Sequence, residues 1–280
     1  MRFTSRRLAL YMAVGVASLM FLASSAAFAS PSPAAAQAFS APRIPIRGAS
    51  SEALNWAGYA VTTSAGSVDA VYGSWVVPAV SCTHKLAYAA FWVGIDGYND
   101  NTVEQTGVLA QCSSGSASYS AWYEFYPASP ISASYVVKPG DIMNASVTYS
   151  ASANCFTTTL IDETQGWSYA SPCTAVTGAE RSSAEWIAER PAIGNSLTTL
   201  AAFGTAYYGH DYTHAAGTNY VTINGVTTNM ASSTGTLTSI TMVSGGPHSS
   251  ILAYPSAVST DGTSFTVTYG SPSSGPAHGH

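Results

Sequence analysis

The amino-acid sequence predicts an all-β fold, organised as one large sandwich of two antiparallel sheets, and three observations support this prediction. Charged residues make up only 8% of the 280-residue chain, against about 25% in an ordinary globular domain, which excludes a coiled coil or a salt-bridged helical bundle. Apolar residues make up 46%, with 17 Tyr and 6 Trp, so material for a large core is ample. No window carries a long apolar stripe at helical period, and without crossover helices the sheets are expected to be antiparallel.

The first 50 residues predict an export signal followed by a linker. Three early arginines precede an uncharged run that begins at Leu8 and ends in an Ala-Phe-Ala cleavage pattern. Residues 1–29 are therefore predicted to be a signal peptide, and the length of the run leaves an uncleaved membrane anchor as the alternative. Residues 30–50 are rich in Pro, Ala and Ser and indicate a linker or propeptide. The mature protein is expected to be secreted to the extracellular space.

Residues 51–270 are predicted to form the sandwich, with the first strand near Leu54, and residues 271–280 a disordered tail. Runs rich in Val, Thr, Tyr and Trp recur between clusters of Gly, Pro, Asn and Ser, which is the pattern of short strands separated by turns. In chain order the predicted strands are LNWAGYAVTT, VYGSWVVP, AYAAFWVGI, VEQTGVLA, SYSAWYEFYP, IMNASVTYS, CFTTTLID, SAEWIAE, LTTLAAFGTAYY, NYVTING, SSILAY and SFTVTYG.

Four cysteines are expected to form two disulfides, because an even number in an oxidising compartment normally pairs. Of the three possible connectivities we favour the short-range one, Cys82 with Cys112 and Cys155 with Cys173. Metal ligation is the competing interpretation, but no two cysteines have the C-x-x-C spacing of a zinc site.

The charge balance argues against nucleic acid as a partner. All fourteen acidic residues lie after residue 50, whereas five of the nine basic residues lie before it. The acidic part of the chain after residue 50 repels nucleic-acid backbones and anionic membranes, so neither is expected to bind after signal cleavage. A monomer is expected.

The sequence GHDYTH, with His210 and His214, suggests a metal site, but we favour surface histidines. We expect neither a metal nor a cofactor.

Two predicted strands carry an unusual number of carboxyls and amides. In VEQTGV, strand alternation places Gln105 and Glu104 on opposite faces, and one apolar core is not expected to hide both sets of residues. In SAEWIAE, Glu185 and Glu189 share a face but lie about 13 Å apart at ~3.3 Å per residue, so they cannot share a proton. A catalytic glutamate here needs a partner on another strand, and Gln105 or Glu124 are available. From alternation alone, we favour the interpretation of each glutamate as a solvated strand residue.

Five motifs, in the same order and covering residues 55 to about 205, resemble those of the glutamic peptidases, the eqolisins. They are Asn55-Trp56-Ala57-Gly58, Trp92-Val93-Gly94-Ile95-Asp96-Gly97, Gln105-Thr106-Gly107-Val108, Ala121-Trp122-Tyr123-Glu124 with Tyr126-Pro127, and Ala184-Glu185-Trp186-Ile187 with Glu189. The resemblance implies a lectin-like sandwich of two sheets of about seven strands each. It also implies a secreted, pepstatin-insensitive acid endopeptidase that hydrolyses protein or peptide substrates.

The resemblance further implies roles for individual residues. Gln105 and Glu189 match the catalytic pair, in which ionised Glu189 takes a proton from the attacking water and Gln105 stabilises the oxyanion. Glu185 matches the first glutamate of the same motif and would be supporting at most. The residues expected to line or buttress the cleft are Trp92, Asp96, Trp122, Glu124 and Tyr126.

Two departures and three rival interpretations remain at this stage. The family commonly has Asp where this chain has Leu109 and Ser120, which leaves the pH optimum open.

A secreted carbohydrate-binding lectin-like module would also use cleft aromatics, but it has no reason to carry Gln105 and Glu189 together in their motifs. A glycosidase would require a second carboxyl near Glu189, for which Glu124 is the candidate. A catalytically inactive descendant is the third rival.

Overall fold

The computed structural model describes residues 50–84 and 86–270, and these residues are almost entirely β-structure. The predicted signal peptide, nearly all of the predicted linker and the predicted tail lie outside the described residues. The strands are β1 (Ser50–Ala53), β2 (Trp56–Thr62), β3 (Val68–Val76), β4 (Leu86–Ile95), β5 (Val103–Ser113), β6 (Ser116–Tyr126), β7 (Ile131–Ala133), β8 (Ile142–Ser150), β9 (Cys155–Asp162), β10 (Trp167–Ala170), β11 (Ser183–Glu189), β12 (Ala192–Ile193), β13 (Ser196–Leu197), β14 (Thr205–Tyr208), β15 (Tyr220–Ile223), β16 (Val226–Asn229), β17 (Thr236–Val243), β18 (Ile251–Pro255) and β19 (Phe265–Tyr269).

Helical structure within the described residues is limited to two short elements. They are α1 (His210–Thr213) and a 3-10 turn, Met230–Ser232. Neither has the length or the apolarity needed to cross a membrane.

The strands form two layers. The first, called the site layer here, has the order β7-β6-β5-β4-β11-β2-β17, and the second, the back layer, has the order β10-β9-β8-β3 with β14 and β15 beside β3. Hydrogen bonding is continuous between the layers, because β18 and β19 link β17 to β14. The predicted sandwich is confirmed. It differs from two separate antiparallel sheets in this continuous edge and in one parallel pair, β1 with β17.

The main core fills the space between the two layers. Trp75 of β3 and Met143 of β8 lie in one apolar cluster with Phe91 of β4 and Trp186 of β11. The Trp186 indole reaches across the layers, where its Nε1 donates a hydrogen bond to the carbonyl oxygen of Tyr72 (2.8 Å). Burial of each such large side chain contributes about 1.5–3 kcal/mol to stability, so this interface is a large source of the fold's free energy.

The site layer is buried on its second face as well. A separate apolar cluster that includes Trp56, Trp92, Trp122 and Ile240 covers that face. Consequently Glu104, on the core face, and Gln105, on the other, are both buried. One apolar core does not hide both sets, as expected, because the layer packs against two. The interpretation of Glu124, Glu185 and Glu189 as solvated strand residues was wrong, because all three are buried.

Both predicted disulfides are confirmed. Cys82 bonds to Cys112, 30 residues later, and Cys155 bonds to Cys173, 18 residues later. The first joins the segment before β4 to the end of β5, and the second joins the start of β9 to the segment after β10. The first bridge therefore closes a loop that contains β4 and most of β5, and the second closes a loop that contains β9 and β10.

Replacement of Cys82 and Cys112 by Ser together is expected to lower the free energy of unfolding by about 3 kcal/mol, because the reduced chain gains loop entropy in the unfolded state. The Cys155–Cys173 disulfide closes the shorter loop. The matched double variant Cys155→Ser, Cys173→Ser should therefore lose less free energy of unfolding, by about 0.5 kcal/mol. Urea unfolding followed by fluorescence would measure both. A Cys82/Cys112 variant as stable as the parent protein would contradict this expectation.

Candidate functional site

One face of the site layer, called the site face, carries the candidate cleft residues apart from Asp96. In antiparallel sheets, residues paired in register lie side by side on one face. Three successive rows cross the strands β11, β4, β5 and β6 in this way. They are Glu185–Gly94–Gln105–Glu124, Ile187–Trp92–Gly107–Trp122 and Glu189–Ala90–Leu109–Ser120, with Tyr126 further along β6 and Trp56 of β2 beside Glu189.

Two glycines make room for the central tryptophan of this face. A Cβ atom on Gly107 would lie 2.2 Å from the carbonyl oxygen of Phe91 and 2.6 Å from the Cβ of Trp92. A Cβ atom on Gly94 would lie 2.9 Å from the Trp92 ring. The Trp92 indole therefore lies close over the sheet, and it packs edge-to-face against Trp56 with 5.0 Å between the ring centroids. This packing fixes the direction of the indole N–H.

The Glu189 carboxylate receives hydrogen bonds from two different side chains. Nε1 of Trp92 donates to Oε2 (2.7 Å), and Nδ2 of Asn55 donates to Oε1 (3.3 Å). Burial raises the pKa of Glu189 to about 7, although the hydrogen bonds from Trp92 and Asn55 and the nearby Trp56 indole lower it. Glu189 is therefore a carboxyl whose protonation changes near neutral pH, a property suited to acid–base chemistry.

Gln105 and Glu124 form the second polar pair of the site face. Nε2 of Gln105 donates to Oε2 of Glu124 (2.7 Å). Burial raises the pKa of Glu124 to about 9, and the charge of Glu189 raises it further, so the two carboxyls interact. Glu124 is thus a neutral acid below that pH. Oε1 of Gln105 is buried and has no hydrogen-bond partner within the described residues, which leaves it available to a bound molecule.

The structure brings Gln105 and Glu189 to the same face, but within the described residues their side chains do not bond to each other directly. Each is held by a different partner, Gln105 by Glu124 and Glu189 by Trp92 and Asn55. Of the two ways in which a catalytic pair could meet, directly or through one water, contact through a water remains a prediction. Both are at most 6% exposed, as catalytic groups in a desolvated cleft would be.

Asp96 buttresses the site from the side. Its Oδ2 accepts hydrogen bonds from the backbone N–H groups of Glu180 and Arg181, and its Oδ1 accepts one from that of Ser182. These three residues lead directly into β11. Asp96 therefore fixes the point at which the strand carrying Glu189 begins, and none of these bonds contacts Gln105 or Glu189.

Glu185 lies on the site face without a charged partner. It is fully buried, and neither carboxyl oxygen has a hydrogen bond of ordinary geometry within the described residues. Burial raises the pKa of Glu185 well above its ordinary value, and the charges of Asp96, Asp100 and Glu104 raise it further. Glu185 is thus a buried neutral acid, in keeping with the supporting role expected for it.

The raised pKa of Glu185 predicts that stability falls as pH rises. Its contribution is fully present below the unfolded pKa of about 4.3 and is lost as the pH rises through the folded pKa. Glu185→Gln should therefore match the parent protein at pH 3–4 and exceed its stability at pH 7–8, with a gain that grows by about 1.4 kcal/mol per pH unit until the folded pKa is reached. Urea unfolding at both pH values, with exposed Glu52→Gln as the control, measures this difference. Equal gains at both pH values would contradict it.

Asn55 contacts Glu189, but the sequence alone predicted no role for it. It was quoted only as the first member of the Asn-Trp-Ala-Gly motif. The sequence feature that could have indicated its contact with Glu189 is its position directly before Trp56, which pairs in register with Glu189. Strand alternation gave no indication of this contact, because Asn55 lies just before β2 begins.

Two other features lie outside the site face. Ligand atoms of His210, Asp211 and Asp261 lie within 4.8 Å of one another, and all three residues are exposed. A groove of about 150 Å³ on the outer face of the back layer is lined in part by Tyr72 and Asn144. Neither feature contacts the rows described above.

The comparisons with known proteins agree with this geometry. Residues 54–251 match the model of the Peptidase A4 family. A curated relative, aspergillopepsin-2 of Aspergillus niger, is 33% identical over 124 residues, which is 43% of this chain and 44% of the relative. The alignment thus spans less than half the length of that relative.

Solved structures of similar fold cover most of the chain. A scytalido-glutamic peptidase with a transition state analog inhibitor aligns with a TM-score of 0.62 at 22% identity, over 77% of this chain and 98% of the other. SCP-B, described as a member of the eqolisin family in complex with the tripeptide Ala-Ile-His, aligns with a TM-score of 0.58 at 22% identity and the same coverage. At this identity these likenesses establish the fold.

Proposed function

Because the chain belongs to the Peptidase A4 family, we propose that it is a secreted endopeptidase in which Glu189 and Gln105 form the catalytic pair. The observation that carries the proposal is the placement of Glu189. It is a buried carboxyl near its titration point, held by two neutral donors, on the same face as an amide with a free buried oxygen. A lectin has no need for a carboxyl tuned in this way.

In the proposed reaction, ionised Glu189 takes a proton from water while the water oxygen attacks the scissile carbonyl carbon. The negative charge that develops on the carbonyl oxygen is stabilised by the amide N–H of Gln105 that is not engaged by Glu124. Glu189 then returns the proton to the departing amine nitrogen, and the peptide bond breaks. Gln105 does not titrate, so its contribution is independent of pH.

The proposed substrates are peptides or unfolded proteins, in keeping with the tripeptide and the transition state analog bound to the structural relatives. Trp92, Trp122 and Tyr126 lie on the site face around the catalytic pair, where they would contact substrate. Export of the enzyme is proposed from the predicted signal peptide in residues 1–29.

The pH profile of peptide hydrolysis tests the proposal. Because Glu189 acts as a base and its pKa is about 7, log kcat/KM should rise with a slope of one up to about pH 7 and then level off. We therefore expect an optimum nearer neutrality than the acid optimum that the resemblance implies. Leu109 and Ser120 place no carboxyl in the row of Glu189, so the raised pKa rests on burial rather than on a charged neighbour in that row.

The assay would follow cleavage of a denatured protein and of a quenched fluorescent peptide from pH 3 to 9, with and without pepstatin. Insensitivity to pepstatin is expected. A maximum at pH 3–4 would contradict the assignment of the activity to a base with a pKa near 7. Cleavage of chromogenic glycosides instead of peptides would favour the rival glycosidase pair of Glu189 and Glu124.

A further inference from the structure

Three side chains act on the Glu189 carboxylate, and Asn55 differs from the other two in one property. The indole N–H groups of Trp92 and Trp56 can donate a hydrogen bond but cannot accept one. The amide of Asn55 can do both, through Nδ2 and Oδ1. Of these three side chains, only Asn55 can therefore form a hydrogen bond with the carboxyl group both when it is ionised and when it is protonated.

The two oxygens of Glu189 consequently differ. Oε2 faces Nε1 of Trp92 at 2.7 Å and must remain an acceptor in that bond. Oε1 faces the Asn55 amide at 3.3 Å, a longer contact that either end of the amide can make. A proton on Oε1 can be accepted by Oδ1 of Asn55 after the amide rotates, whereas a proton on Oε2 directed at the Trp92 N–H would face another donor.

The surroundings of Asn55 are consistent with this exchange. Asn55 is fully buried, and its backbone carbonyl accepts a hydrogen bond from the N–H of Arg190 (2.7 Å), which ties it to the end of β11. Its side-chain Oδ1 has no hydrogen-bond partner within the described residues. A buried amide oxygen without a donor is uncommon, and a protonated Glu189 would supply that donor.

We propose that Asn55 is a positioning residue that holds Oε1 of Glu189 in both of its protonation states, and that Oε1 is the oxygen that carries the catalytic proton. The inference rests on the proposed function. When water attacks, its proton moves to Oε1 and its oxygen bonds to the carbonyl carbon, while Oδ1 of Asn55 turns to accept from the new O–H. When the amine leaves, the proton passes from Oε1 to the amine nitrogen and Nδ2 again donates to the carboxylate.

Among the residues that the structure describes, one other titratable group interacts with Glu189. Glu124 of β6 interacts with Glu189 through charge. Glu124 is neutral below pH 9, so it contributes little to the titration of Glu189 between pH 5 and 8. Loss of the Asn55 hydrogen bond should therefore be visible as a single shift of Glu189.

The test is a direct titration of Glu189 by ¹³C NMR of the glutamate carboxyl carbons, with its signal assigned by its loss in Glu189→Gln. Asn55→Leu, close in volume, and Asn55→Ala, which leaves room for water, should both raise the titration midpoint by about one pH unit, because the charge-assisted hydrogen bond lost by the ionised form is roughly twice as strong as the neutral one lost by the protonated form. The acidic limb of the kcat/KM profile should move by the same amount.

Asn219→Ala is the matched control. Asn219 is also fully buried, its Nδ2 donates to the carbonyl oxygen of Thr263 (2.8 Å), and its Oδ1 also has no partner within the described residues. It adopts a positive φ of 54°, so alanine there costs stability as well. This variant should lose stability while the midpoint of Glu189 remains unchanged.

The outcomes separate this proposal from the function on which it rests. An unchanged Glu189 midpoint in a folded Asn55 variant would overturn the role of Asn55, whatever the activity of the parent enzyme. A shift of the same size in Asn219→Ala would overturn it too, because the effect would then be general. Full activity of Glu189→Gln would overturn the proposed function, while the titration would still report on the Asn55 contact.

Discussion

Glu189→Gln is expected to lower kcat for peptide hydrolysis by about 10²- to 10⁴-fold while the protein remains folded. The substitution nearly preserves shape and can still accept the Trp92 hydrogen bond through its carbonyl oxygen, but it removes the group that takes a proton from water. KM should change little, because the same side-chain volume faces the substrate. Single-turnover hydrolysis of a fluorescent peptide, with circular dichroism to confirm folding, would measure the effect.

Glu185→Gln is the matched control for this experiment. Glu185 lies on the same strand and the same face, and both glutamates are buried. It is about 13 Å from Glu189 along the strand, so its loss should leave kcat within about a factor of three. If Glu185→Gln abolished hydrolysis and Glu189→Gln did not, the two motif glutamates would exchange roles.

Gln105→Ala is expected to lower kcat by about 10²- to 10³-fold, because it removes the proposed oxyanion donor. The loss should be independent of pH, since an amide does not titrate, and this distinguishes it from the effect of any change at Glu189. A matched control on the same strand and face is Gln111→Ala, about 20 Å further along β5. A pH-dependent loss in Gln105→Ala would instead indicate that Gln105 acts by tuning Glu124, to which it is bonded.

The sequence predicted the main features of the site because strand alternation and motif spacing are local properties. Alternation placed Glu185 and Glu189 on one face, and register confirms it. The pairing of Gln105 with Glu124 was not predicted, and the two were named only as alternative partners for a catalytic glutamate, because the register between β5 and β6 depends on the turn that joins them. The burial of the site face was missed, because it depends on aromatic side chains brought together from several strands.

One strand rich in Thr and Ser was not predicted. β17 has the sequence TLTSITMV, and it was not among the predicted strands, although it pairs with β1, β2 and β18. Its Thr and Ser residues resemble those of the turns in this chain, yet Thr238, Ile240 and Met242 alternate as buried residues. In a chain that is poor in charge, polarity alone does not separate strands from loops.

The parallel pairing of β1 with β17 limits how far the amino terminus can be trimmed. Ser50–Ala53 pair in register with residues 239–242 of β17. Processing that removed these four residues would leave the backbone N–H and C=O groups along this edge of β17 without partners. An exposed strand edge of this kind can pair with another chain. Maturation or recombinant truncation should therefore stop before Ser50. The reason for this limit is protection of β17 against aggregation rather than access to the site face.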